Sequence, residues 1–325
     1  MKALKLFSIV MMGMAITLAS CSGEDGKDGL PGEDGTNGTN GTNGTNGTDG
    51  ADGADGAPGE DKPNVDFYFQ QDFKGYQGTQ DAMISDAHGD SNGETSVISY
   101  DGNNPGDERF TLMRFDGIFD ELTTALVDPE SGLTCDASFD VNQAILYIYI
   151  SAHTTQGLDQ LAIHLGFYNE TDPLFDESSA IWEGPNQVTE WPGGVGGVSG
   201  EWVGPFPNED SYSIAYQVIT NSTNRPGWVA IPLPRSVVHE WICNEEANKG
   251  MRLGLSGHSE NVAGIEFFSS ENPVKDLRPV LVIETEKMDP ASANKGSIGS
   301  SKKMSWEEMT YEEKMAPLYR FLSSK

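Results

Sequence analysis

The chain is short of positive charge, of cysteine and of any catalytic signature, and each shortage removes a class of function. Against 50 Asp and Glu stand only 20 Lys and Arg, a formal net charge of -30. Nucleic-acid binding needs a basic surface that neutralises phosphates, so that role is excluded. Docking on anionic lipid headgroups is disfavoured by the same argument. The 5 histidines (His88, His153, His164, His239, His258) are scattered, with neither H-E-x-x-H nor Cys-Cys-His spacing for zinc. No G-x-S-x-G elbow, P-loop or dinucleotide fingerprint occurs. Carboxylates are so abundant that a glycosidase-like pair carries no information. The sequence reads as that of a non-enzyme.

Long apolar runs are scarce too. The one at the start, Leu6 to Leu18, is interrupted by Ser8, Gly13 and Thr17, follows Lys2 and Lys5, and leads into Leu18-Ala19-Ser20-Cys21. A basic segment, an apolar segment and small residues form the layout of a secretory signal, and the run is too short to span a bilayer comfortably. Residues 1–20 resemble a bacterial lipoprotein signal peptide with Leu-Ala-Ser-Cys as its lipobox. The resemblance implies that Cys21 is lipidated, becomes the mature N-terminus and anchors the chain to a membrane. Ser22-Gly23-Glu24-Asp25 resembles the export signal of Bacteroidetes-type lipoproteins, which implies the outer face of the outer membrane. Ser22 also lacks the aspartate that resembles an inner-membrane retention signal. With Cys21 lipidated, Cys135 and Cys243 are left in an oxidising compartment, where a disulfide between them is compatible with the chemistry.

Behind the anchor, residues 21–63 form a stalk. Glycine recurs at every third position from Gly23 to Gly59, giving thirteen Gly-X-Y triplets. This is the collagen period, and it admits a homotrimer. Pro31 and Pro58 are its only imino acids, and Lys27 is its lone base among many acids, so the alternative is a hydrated acidic chain that buries too little to fold. Extended, such a stretch reaches about 120 Å; as a coil it spans about 35 Å. Either way it is a spacer.

Residues 64–287 read as one large all-β domain. Runs rich in β-branched and aromatic residues alternate with Gly, Asn, Asp and Pro clusters. The predicted strands are Val65–Gln70, Ala82–Ser85, Ser96–Tyr100, Arg109–Phe119, Gln143–Ile150, Gln160–Phe167, Tyr212–Val218, Gly227–Leu233, Met251–Ser256, Gly264–Phe268 and Pro279–Glu284, with one short helix near Arg235–Glu246. Many short strands and little helix predict a jelly-roll β-sandwich. The ordered set Gly75-Tyr76-Gln77-Gly78-Thr79-Gln80-Asp81-Ala82, Asn92-Gly93, Leu112-Met113-Arg114-Phe115-Asp116, Trp228-Val229-Ala230-Ile231-Pro232-Leu233, Asn248-Lys249-Gly250-Met251-Arg252-Leu253, Phe268-Ser269-Ser270-Glu271 and Arg278-Pro279-Val280-Leu281-Val282 resembles the DNRLRE (disaggregatase-related) carbohydrate-binding family. That resemblance implies a jelly roll recognising extracellular polysaccharide. Within it, Arg114 and Asp116 share a strand face and can pair, Glu271 and Arg278 flank the last strands as a second pair, and Trp228 and Trp241 read as core.

Sugar-stacking candidates lie between Ile181 and Phe206, where Trp182, Trp191 and Trp202 sit in a glycine-rich loop with Glu183, Asn186, Gln187, Glu190 and Glu201. Indole faces stack on sugar C–H groups, and carboxylates and amides bond hydroxyls; the same tryptophans can equally cover the open edge of the core. A surface this acidic disfavours polyanions unless a cation intervenes or bases such as Arg225 and Arg235 gather. Asp81, Asp86, Asp90 and Asn92 crowd oxygens into one stretch, which suits a structural calcium, though not in EF-hand spacing. After a linker over 288–303, residues 304–325 form an amphipathic helical tail. Ser305-Trp306-Glu307-Glu308 and Thr310-Tyr311-Glu312-Glu313 have capping-box form, and Pro317 predicts a break. The tail either docks on its own domain or takes a protein partner. The whole reads as a surface lipoprotein binding polysaccharide, with a protein-binding adhesin or a polysaccharide lyase or hydrolase as alternatives.

Overall fold

A computed structural model describes residues 64–86, 95–101, 108–156, 160–168, 170–192, 219–220, 227–256, 262–288 and 305–325. Cys21, the stalk, Asp90, Asn92, Trp202, Glu201, Arg225, the strand predicted at Tyr212–Val218 and nearly all of the linker lie outside the described residues. Among those described, eleven strands appear: β1 (Asn64–Phe69), β2 (Thr79–Ser85), β3 (Thr95–Asp101), β4 (Arg109–Phe115), β5 (Phe139–Gln156), β6 (Gln160–Phe167), β7 (Ile219–Thr220), β8 (Gly227–Leu233), β9 (Met251–Ser256), β10 (Val262–Phe268) and β11 (Val280–Lys287). Helices are few: α1 (Ile118–Leu126), α2 (Cys135–Ser138), α3 (Arg235–Cys243) and α4 (Tyr311–Ser323). The fold is mostly β, as the sequence predicts.

The strands pair antiparallel in the order β1-β11-β5-β10-β3-β4-β9-β6-β7, with β2 on β4 and β8 on β5. The sheet curls because β5, 18 residues long, changes partners. Phe139–Tyr147 pairs with β11 and Ala144–Ile150 with β8, whereas Ile150–Gln156 pairs with β10. Strand alternation sends Ala144, Leu146, Ile148 and Ile150 into a central core. Met113 and Phe115 of β4, Ile163 and Leu165 of β6, and Met251 and Leu253 of β9 meet them there.

The alternate residues of these strands are apolar as well and need covers of their own. Ile145 and Tyr147 of β5, Ala230 of β8, and Val280 and Val282 of β11 are buried by Met315, Leu318 and Phe321 of α4. The tail therefore docks on its own domain through Met315, Leu318 and Phe321, while Tyr311 and Tyr319 of the same helix stay exposed. Both capping boxes form: Ser305 N donates to Glu308, Thr310 N donates to Glu313, and Glu313 N donates back to the Thr310 hydroxyl. Contrary to expectation, α4 runs straight through Pro317. Burial of Pro317 between Met315 and Leu318 favours that course, and the Tyr147 hydroxyl, donating to the Lys314 carbonyl at 2.7 Å, holds the preceding turn against the sheet. Arg320 adds ion pairs to Glu284 and Asp66.

Three further expectations are corrected. The predicted strand Arg109–Phe119 stops at Phe115, and a helix follows. Ile118, Leu122 and Leu126 are buried at helical spacing, and Asp120 and Glu121 sit in the first turn where the helix dipole favours them. Arg114 does pair with Asp116, at 2.5 Å, but Arg278 pairs with Asp72 at 2.8 Å rather than with Glu271. Trp241 is buried, whereas Trp228 is only partly so. Cys135 and Cys243 are joined in a disulfide, Cα atoms 5.6 Å apart, that ties α2 to α3. No helix among the described residues is long and apolar enough to cross a membrane.

Two stability predictions follow from this packing. Closing a loop with a sequence separation of 108 restricts the unfolded chain strongly, so reducing the disulfide is expected to cost about 2–5 kcal/mol, measured by urea unfolding with and without reductant. Phe321→Ala, at a fully buried position, is expected to cost about 3–5 kcal/mol in the same assay.

Candidate functional site

The outer face of β2 and β4 is covered by a strap, residues 170–192, whose Phe175, Ala180 and Trp191 pack with Tyr168 on Ala82, Ile84 and Leu112. Short-range bonds hold the strap's shape. Asp176 N donates to the Pro185 carbonyl, Ala180 N to Asp176, and Trp191 N to Glu183. The Asn186 carboxamide accepts from the amides of Val188 and Thr189. At Gly184 a β-carbon would lie 1.7 Å from the Thr189 carbonyl oxygen, so only glycine fits.

This architecture separates the predicted sugar-stacking residues. Trp191 is 4 % exposed, stacked on Tyr168 at 5.6 Å, with its indole N–H donated to the Ile181 carbonyl. No face of it is open to a sugar, and it serves to fix the strap. Trp182 is different: half-buried, it lies nearly parallel to Phe110, 5.3 Å between centroids. Glu183 and Glu190 are exposed on the same strap.

Around Trp182 the sheet itself supplies residues that the loop-centred reading missed. Leu112 pairs with Arg252 and Gly254 with His164 in register, which puts Phe110, Arg252 and His164 on one face. The Arg252 guanidinium lies 4.0 Å from the centre of the Phe110 ring, a cation–π contact. Gly254 leaves room for that ring, since a β-carbon there would come within 3.0 Å of it. Burial pushes the Arg252 pKa down to about 10, opposed by Tyr168 and Glu108, and the side chain stays charged at neutral pH. Burial, helped by the Arg252 charge, also holds His164 below its ordinary value, so it presents a neutral imidazole. The signal was present in the sequence: in Met251-Arg252-Leu253-Gly254-Leu255 the apolar residues alternate with the pair that faces outward. Arg235, weighed earlier as a local base, is exposed at the start of α3 instead.

Of the predicted calcium set only Asp81 and Asp86 are among the described residues, and these two do not meet. Asp81 and Asp86 are five positions apart on an extended strand, hence on opposite faces and about 17 Å apart. Asp86 closes the strand end by accepting from Glu108 N at 2.9 Å. Asp81 is fully buried, accepting from Ser96 Oγ at 3.2 Å and Ser270 N at 2.8 Å. Its acidic neighbours come from elsewhere. Glu177 of the strap accepts from Asp81 N at 3.0 Å, capping the free edge of β2, and Glu271 follows β10. Ligand oxygens of Asp81, Glu177 and Glu271 all lie within 4.8 Å of one another. Burial first, then the Glu271 charge, raises the Asp81 pKa to about 6. Glu177 is raised too, by burial and by the charges and hydrogen bond of its acidic neighbours. Chemically the trio can share a proton or hold a hard cation through oxygen ligands. The other close group, Asp136, His239 and Cys243, offers no thiolate because Cys243 is in the disulfide.

Compared with protein-family models and with curated proteins, the chain matches none.

A carboxyl with a raised folded pKa holds a proton that the unfolded chain has already released. Its stabilisation is complete below the unfolded value near 4 and, for Asp81, is lost as pH rises through about 6. Glu177 acts in the same direction. Relative to the wild type in chelator, Glu177→Gln is therefore expected to gain thermal midpoint progressively from about pH 4.5 upward. A difference independent of pH would contradict this assignment.

Proposed function

We propose that the chain is a non-catalytic surface lipoprotein whose jelly-roll, DNRLRE-like domain binds extracellular polysaccharide for adhesion or substrate capture. In this reading Cys21 carries the acyl anchor at the outer face of the outer membrane, and the Gly-X-Y stretch, single or trimeric, holds the domain away from it. The observation that carries the reading is the half-exposed Trp182 indole, backed by Phe110 over a sheet face bearing Arg252 and His164. A rigid aromatic plane beside a few fixed polar groups suits the face of a sugar ring. Glu183 and Glu190 at the rim add acceptors for hydroxyls. Trp202 is proposed as a further stacking residue, while buried Trp191 is assigned to the scaffold.

A structural calcium remains part of the proposal, moved from the Asp81–Asn92 stretch to Asp81, Glu177 and Glu271. Its role would be to pin the strap beneath Trp182 to the edge of β2, supplying the positive charge that three neighbouring carboxylates lack.

Affinity electrophoresis against a panel of polysaccharides tests the site. Trp182→Ala is expected to weaken retardation by about tenfold with an unchanged melting temperature. Trp191→Ala is expected to lower stability by about 3–5 kcal/mol, since it empties a packed position. Unchanged retardation in Trp182→Ala would remove the site from consideration.

A further inference from the structure

The sheet carries a second row of aromatic rings, remote in sequence from the strap. Tyr149 of β5 lies directly opposite Trp228 of β8 in register, and Phe268 at the end of β10 continues the row beyond Tyr149. Tyr149 and Trp228 meet edge-on with centroids 5.5 Å apart, and Tyr149 and Phe268 stack at 5.6 Å with 16° between planes. The neighbours Ile148, Ile150, Val229 and Phe267 occupy the central core, so strand alternation turns these three rings outward. None of the three is buried, and each keeps part of its surface in solvent.

Cross-strand pairing explains why the rings hold one another. Trp228 also packs in part on the cluster under α4. Neither contact explains why three aromatics in line each keep some surface in solvent, and an apolar row that solvent reaches is a candidate binding surface. We propose that the row is a second binding face, taking an uncharged polysaccharide laid across β8, β5 and β10. Strands stand about 4.8 Å apart, close to the length of one pyranose unit, so consecutive sugars meet consecutive rings. Polar groups of the right kind flank the row: Ser151 Oγ donates to the Glu266 carboxylate at 2.8 Å. Among the described outward residues of these three strands near the row, Glu266 is the only charged one. A lone carboxylate accepts from sugar hydroxyls and repels acidic sugars, which selects the neutral class.

This face shares with the Trp182 site only the ligand class, and either can fail alone. The test is affinity electrophoresis of the full chain in gels containing laminarin, xylan or β-mannan, with alginate as the acidic comparison. Measurable retardation by at least one neutral polymer is expected to remain in Trp182→Ala, though weaker than in the wild type, and retardation by that polymer is expected to weaken about tenfold or more in Tyr149→Ala. Ala152→Arg covers the case in which Tyr149→Ala does not fold. Ala152 is exposed opposite Glu266, so the long side chain obstructs the row with all three rings in place, and the same loss is expected. Wild-type retardation by none of the neutral polymers, or wild-type retardation in both variants, overturns the second face. Loss in Trp182→Ala with retention in Tyr149→Ala also overturns it and leaves the first site standing.

Discussion

A strand that is apolar on both faces cannot be satisfied by a single core. The sequence Ala144-Ile145-Leu146-Tyr147-Ile148-Tyr149-Ile150 sends alternate residues to opposite sides of the sheet, and both sides must leave water. The central core takes one side. On the other, the cover changes along β5: α4 lies over Ile145 and Tyr147, and beyond them Tyr149 is left to its aromatic neighbours. Across the core, Leu112, Ala82 and Ile84 pose the same problem on β4 and β2, and the strap solves it. The three apolar clusters, the docked tail and the position of Trp182 all follow from this two-sided burial.

The strap's anchorage links stability to the proposed site. A free sheet edge exposes backbone N–H groups, and Glu177 occupies one of them at Asp81. That arrangement brings a third carboxyl toward Asp81 and Glu271, and the resulting repulsion is relieved by a proton or by a cation. The same segment that carries Trp182 is thus fastened through a cluster whose charge depends on solution conditions. On the Trp182 side, Phe110 is held between a missing side chain at Gly254 and the guanidinium of Arg252, so the indole rests on a ring that has little room to move.

Much of the strand order was legible because alternation and turn residues repeat locally: Gln160–Phe167, Gly227–Leu233 and Met251–Ser256 were placed to the residue. Helix α1 was missed because its first residues, Ile118 and Phe119, continue an apolar strand, although Ile118, Leu122 and Leu126 already showed the helical period. The acidic cluster around Asp81 is not legible in the sequence for a deeper reason. Asp81 and Asp86 are close in sequence but an extended chain drives them apart, while Glu177 and Glu271 reach Asp81 only through long-range topology. Trp182 and Trp191 share one loop and one residue type, and nothing local says which indole is inside. The difference is made by Tyr168, which directly follows β6, and Phe110 of β4, each of which meets its indole only in the folded domain. Pro317 shows the converse, a local rule overridden by the packing of the helix that contains it.

Polysaccharide is proposed to lie on the face marked by Trp182, Arg252 and His164. Hydrogen–deuterium exchange of the full chain, with and without saturating polysaccharide from a panel of neutral and acidic polymers, tests it most directly. At least one polymer is expected to slow exchange in the strap around Ile181–Gly184 and in β9 around Met251–Gly254. Unaltered exchange in both segments with every polymer, from a folded chain, would contradict it.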